Sequence, residues 1–107
     1  MLEEKLRTYK IVYNEEKREE TLVKHQIDLE EIKNMIHNWN FIKVIQHPSP
    51  QYKEQLLVIV NYRNYSVCCP IKINDEKQDI KLITAFKNRN FKPLLDKNES
   101  QVKHFKN

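Results

Sequence analysis

The chain has 107 residues, of which 39 % are hydrophobic and 32 % charged. That suits one folded domain and argues against a disordered chain. The absence of any glycine excludes the glycine-rich phosphate cradles of P-loop and dinucleotide-binding proteins. The net charge of +4 is unevenly placed: residues 1–80 carry 12 Lys and Arg against 13 Asp and Glu, and residues 81–107 carry 7 against 2. A basic end suits a nucleic-acid or acidic-protein partner, or only water.

In chain order, Met1-Leu2-Glu3-Glu4-Lys5 is too charged for a secretory leader. Leu6 to Tyr13 predicts a first strand, with apolar weight at Leu6, Ile11 and Val12. Asn14 reads as a helix N-cap, and Glu15 to Lys24 as a short polar helix with Leu22 and Val23 as its apolar points. Asp28 and Glu31 have capping-box spacing ahead of a second helix. There Leu29, Ile32, Met35, Ile36 and Trp39 recur at helical intervals and should face the core.

Strands follow at Phe41 to Gln46, Leu56 to Tyr62, Tyr65 to Ile73 and Ile80 to Phe86. His47-Pro48-Ser49-Pro50 is a loop, and Arg63-Asn64 a tight turn. Pro70 predicts an edge or a bulge in its strand. The adjacent Cys68 and Cys69 cannot close a useful loop and lack partners at zinc-ligand spacing. They read as strand residues facing opposite sides, one buried, in a reducing, cytoplasmic setting. The longest apolar run, Leu56 to Val60, is far shorter than the ~20 residues of a membrane span.

The expected fold is thus α+β, ordered β-α-α-β-β-β-β. The sheet is mainly antiparallel, two N-terminal helices pack on one face, and the other face is left for a partner or substrate. Residues 1–95 form the domain, and 96–107 a basic tail that is loose or helical. No metal or other cofactor is expected.

His25 is the best candidate for acid–base work, since its ordinary pKa of about 6.5 lets small shifts bring exchange to neutral pH. A histidine ending a helix can equally serve the last carbonyls. Lys17 and Lys24 could hold phosphate, or form a solvated helix face. Tyr62 and Tyr65 flank the tight turn and could stack on bases, or on each other across the hairpin. Lys87, Arg89 and Lys92 form a basic stretch after the last strand.

Residues Tyr9 to Glu31 resemble the N-terminal half of BrnT-like toxins. Lys17-Arg18 match that family's basic pair, and Lys24-His25 its Lys-His, at the same spacing. Thr21 stands where the family prefers Asn, Gln26 where it prefers Gly, and Leu29 where it prefers Phe. The stretch Ile80 to Ala85 is similar to the family's last strand, with Thr84 in a Ser position and Phe86 in an Arg position. The resemblance covers residues 9–92.

It implies a RelE-like fold and a metal-independent ribonuclease of a type II toxin–antitoxin pair. A ribose 2′-OH would attack the neighbouring phosphate, with cations stabilising the phosphorane and a base and an acid moving protons. His25, Lys24, Lys87 and Arg89 would then serve catalysis, with Lys87 or Arg89 replacing the arginine absent at Phe86. Lys17, Arg18, Tyr62, Tyr65 and Lys92 would bind RNA. The implied partner is a cognate antitoxin, often of the ribbon-helix-helix type, in a hetero-oligomer or beside a homo-oligomer, with no membrane involved. Two other readings compete: a non-catalytic binding module on the same fold, and a small immunity or interaction protein that neutralises a toxin.

Overall fold

A computed structural model describes residues 2–89; the expected tail and Lys92 lie outside them. The architecture is α+β. In chain order come α1 (Leu2–Thr8), β1 (Lys10–Val12), α2 (Glu15–His25), α3 (Leu29–His37) and β2 (Lys43–Gln46). A 3-10 turn (Pro50–Tyr52) leads to β3 (Leu56–Tyr62), β4 (Tyr65–Asn74), β5 (Asp79–Leu82) and β6 (Phe86–Lys87). The sheet runs β1-β5-β4-β3-β2, with β6 also on β4. β1 is parallel to β5, and every other pairing is antiparallel. No helix among the described residues is long and apolar enough to cross a membrane.

The hairpin of β3 and β4 is the centre of the fold. Its turn residues Arg63 and Asn64 both have positive φ, 53° and 71°, which matches the twist of a two-residue hairpin. Asn61 supports the turn through its side-chain oxygen, which accepts from the Asn64 N–H at 3.0 Å. On one face Val58, Val60, Tyr62, Val67, Cys69 and Ile71 meet Leu6 of α1 and Leu29, Ile32 and Ile36 of α3. Alternation in the strands and a 3–4 residue period in α3 bring these side chains together.

Several expectations are corrected. The predicted strand Leu6 to Tyr13 is half helix: α1 occupies its start, so the order opens with a third helix. Only Leu6 of α1 is buried; Leu2 packs against the core beside it, and polar links join this segment to the sheet. Lys5 Nζ and the Tyr9 hydroxyl both reach Asp75 at 2.9 Å, in the turn between β4 and β5.

Trp39 is not core. It follows α3 with φ 59° and is 38 % exposed, its ring stacked on Phe41 at 5.2 Å. Phe41 precedes β2 rather than opening it. Met35 is only partly buried.

The predicted last strand is broken into β5 and β6, and Pro70 accounts for the break. Strand β4 pairs with β5 at Ile71–Asn74 and with β6 at Val67–Cys68. Pro70 lies between, and its carbonyl accepts from the Ile83 N–H at 2.9 Å. Its ring nitrogen, which has no proton to donate, faces that same gap. The proline therefore sits inside the sheet, where its neighbour changes, and not on an edge.

The face opposite the helices is not bare either. Leu57, Ile59 and Cys68 lie there by register and are buried, flanked by Ile45, Pro70 and Phe86. Apolar residues thus occupy both faces of β3 and β4, the pattern of strands buried on both sides. Both cysteines are consequently buried, where one was expected; burial pushes the Cys68 thiol up to about 11 and the Cys69 thiol well above its ordinary value.

Candidate nucleic-acid interface

An exposed aromatic ring and two cations without an ion-pair partner among the described residues meet at the end of the β3–β4 hairpin. Tyr65 opens β4 at the hairpin turn and is 55 % exposed. Strand β6 pairs with β4 so that Lys87 lies opposite Val67, on the same face as Tyr65. The Lys87 ammonium then lies 4.3 Å from the centre of the Tyr65 ring, a cation–π contact. Asn64, Tyr65, Ser66, Lys87, Asn88 and Arg89 line an open depression of about 560 Å3.

Its floor is fixed by the strand exit. The Ser66 hydroxyl donates to the Asn88 carbonyl at 2.6 Å, and the Asn88 N–H donates to the Ser66 carbonyl at 3.0 Å. These bonds carry the β4–β6 register one residue further and bring Arg89 to the rim. Chemically the arrangement suits a polyanion that bears flat rings: cations for phosphate and an exposed ring for a base.

The other expected site residues are placed elsewhere. Arg18 is committed to structure: its Nε donates to Asp28 Oδ1 at 2.9 Å and its Nη2 to Asp28 Oδ2 at 3.3 Å. This fork holds the Asp28 carboxyl below its usual range, an effect that burial partly opposes and the Glu30 N–H bond assists. Asp28 is also the N-cap of α3, accepting from the Glu30 N–H at 2.9 Å. The expected capping box is only half formed. The Asp28 N–H donates to the Tyr62 hydroxyl at 3.2 Å, and Glu31 pairs with Arg63 at 3.1 Å instead.

Tyr62 is therefore buried, and burial raises its pKa. It cannot stack on a base, which corrects the expectation made from its place beside the turn. Tyr13 adds a further tie: its hydroxyl donates to Glu30 at 2.5 Å, and that bond pushes its pKa up to about 12.

Lys17 and Lys24 both pair with Glu20, at 3.7 Å and 3.3 Å. Their charge is thus partly neutralised before any phosphate arrives. His25 is the last residue of α2 and is exposed; it does not line the depression. The depression thus unites Tyr65, Lys87 and Arg89, while Tyr62, the cross-strand partner of Tyr65, and Arg18, Lys24 and His25 do not line it.

Phe86 belongs to the other face. It pairs with Cys68, so its ring lies away from Tyr65 and Lys87. Asn64, Ser66 and Asn88 were not foreseen as site residues. Their signal is the register of β6 on β4, which a single unbroken last strand conceals. No protein-family model matches the chain, and no curated protein or solved structure matches it either.

Proposed function

We propose that this chain is an RNA-binding protein of RelE-like fold, akin to the BrnT-like toxins, that takes single-stranded RNA onto Tyr65, Lys87 and Arg89. The observation that carries the reading is the Lys87 ammonium 4.3 Å from the centre of an exposed Tyr65 ring, at the mouth of one depression with Arg89. Tyrosine supplies a flat surface that any base can use, and the two cations supply the phosphate term. In a toxin–antitoxin pair the cognate antitoxin would restrain this activity, in the cytoplasm.

The cleavage reaction follows from the same cations. The ribose 2′-OH loses its proton to a base and bonds to the adjacent phosphorus. The 5′-oxygen leaves as it gains a proton, and a 2′,3′-cyclic phosphate remains. Lys87 and Arg89 would stabilise the charge that builds on the phosphorane oxygens. No metal is required for these steps.

A second reading, a binding module without catalysis, is favoured by one observation. Among the described residues, the lining of the depression contains no imidazole or carboxylate to move the protons.

A fluorescein-labelled single-stranded RNA separates the two. Tyr65→Ala should weaken binding by about 1–3 kcal/mol, as loss of one stacking ring does. Lys87→Ala and Arg89→Ala should each weaken it and lower the slope of log K against log salt by about one. Wild-type binding by all three variants would end the RNA reading. Cleavage in EDTA that leaves cyclic phosphate ends supports the toxin; tight binding with intact RNA supports the module. Phe86→Arg should not restore cleavage, because that position faces away from the cations.

A further inference from the structure

We propose that the outer face of α2 is a docking surface for a basic, amphipathic helix of a partner protein. The inference is independent of RNA binding, because this surface carries the opposite charge.

Helix α2 buries a single residue, Thr21, and exposes its two large apolar side chains. Leu22 is 46 % and Val23 76 % exposed. A lone exposed aliphatic residue is ordinary. Here two adjoin on the one helix that has almost no apolar contact with the core. Glu16, Glu19, Glu20 and Val23 stand at i, i+3, i+4 and i+7 and so share one stripe, with Leu22 beside Glu19. Together with Lys24 they line a shallow depression of about 630 Å3.

The charges around this apolar centre are not balanced. Glu20 is paired with Lys17 and Lys24. Glu16 and Glu19 have no ion-pair partner among the described residues. Glu16 lies in the first turn, where it suits the helix dipole, but Glu19 lies beyond that turn and gains little from it. The surface thus presents an apolar centre with uncompensated carboxylates at its rim.

Charge decides between occupants. RNA and anionic lipid would be repelled. A second copy in a two-fold contact would set the same carboxylates against themselves. A helix with Leu-type residues on one stripe and Lys or Arg beside it would cover Leu22 and Val23 and meet Glu16 and Glu19.

The test uses the full chain and two labelled peptides of about 14 residues, roughly four helical turns, one of Leu and Lys only and one of Leu and Glu only. Fluorescence anisotropy should show saturable binding of the Leu/Lys peptide and none of the Leu/Glu peptide. The double substitution Leu22→Ser/Val23→Ser should raise Kd about tenfold, the effect of losing two partly buried aliphatic contacts. Glu16→Gln/Glu19→Gln should raise it several-fold and flatten its salt dependence. Both variants change exposed side chains, so their melting curves should match the wild type, and RNA binding should be unchanged. Equal affinity of both double variants for the Leu/Lys peptide would overturn the proposal. So would equal binding of the two peptides. A wild-type dimer in sedimentation that Leu22→Ser/Val23→Ser dissolves would overturn it in favour of a second copy.

Discussion

Helices α2 and α3 are neighbours of similar length, held in opposite ways. Helix α3 turns Leu29, Ile32 and Ile36 wholly into the core. Helix α2 puts in one threonine and leaves its apolar residues in water. Asn14 caps α2, accepting from the Lys17 N–H at 3.1 Å, and the Arg18 fork ties it to the cap of α3. A helix held by polar points can change its outward face at little cost to folding. A helix held by burial cannot. The division suggests that α3 supports the fold while α2 serves as surface.

The largest break in this comparison comes from the core side. Ile36→Ala should lower the unfolding free energy by about 2–5 kcal/mol, the usual cost of truncating a buried aliphatic residue. Urea denaturation followed by circular dichroism measures it. Thr21→Ala in α2 is the matched control and should cost less than half as much. Equal losses would mean that α2 is packed as firmly as α3.

The burial of α3 was legible in the sequence because Leu29, Ile32 and Ile36 repeat at helical spacing. The hairpin was legible for the same kind of reason: β3 spans Leu56–Tyr62 as expected, and Arg63-Asn64 forms its turn. Caps at Asn14 and Asp28 also stand where short polar side chains announced them. Trp39 kept the helical interval but came after the helix had ended, so spacing alone misplaced it.

Helix α1 was hidden for a different reason. Its seven residues bury only Leu6, with Leu2 packed at the edge of the core, and its polar contact runs to Asp75, a residue far away in sequence. The break after β5 has its cause in Pro70, on the neighbouring strand. No local signal between Ile83 and Ala85 marks it. The candidate site depended on that break. Tyr65, Lys87 and Arg89 were recognisable by type, but only the offset of β6 along β4 brings Lys87 over the ring. Tyr62 and Tyr65 looked equivalent beside the turn, yet the N-terminus of α3 covers only the former.

A smaller effect probes the link between the two helices. Asp28→Ala removes the cap of α3 and leaves the Arg18 fork unpaired. It should cost about 1–3 kcal/mol at pH 7. Asp28→Asn is the sharper variant, since asparagine caps well but carries no charge. The Asp28 pKa is lowered in the folded chain, chiefly by Arg18. Its contribution is therefore complete above the unfolded value of about 3.9 and fades as pH falls through the lower folded value. Stability curves between pH 7 and pH 2 should thus decline less steeply below pH 4 in Asp28→Asn than in the wild type. Parallel acid limbs would mean that the Arg18 fork contributes nothing, leaving α2 held by its cap and Thr21 alone.

The smallest effect lies where each helix stops. Gln26 ends α2 with φ 56° and ψ 38°, and Trp39 follows α3 with φ 59°. Both occupy the left-handed region, where a side chain crowds the backbone and glycine does not. The two differ in what the side chain gains. Gln26 gains one bond at the surface, from its Nε2 to the Val23 carbonyl at 3.1 Å. Trp39 stacks on Phe41 at 5.2 Å and receives the Arg7 guanidinium 5.6 Å from its ring. Glycine in either place relieves about 1 kcal/mol of backbone strain but loosens the unfolded chain by a comparable amount. At position 26 the balance should fall between zero and about 0.5 kcal/mol of stabilisation, because the lost bond competes with water. At position 39 the lost ring contacts dominate, and Trp39→Gly should destabilise by about 1–2 kcal/mol. The same substitution at the same backbone angle should thus act with opposite signs or nearly so. If Gln26→Gly proved as costly as Trp39→Gly, the end of α2 would be as firmly held as that of α3, and the contrast between the helices would fail at that end.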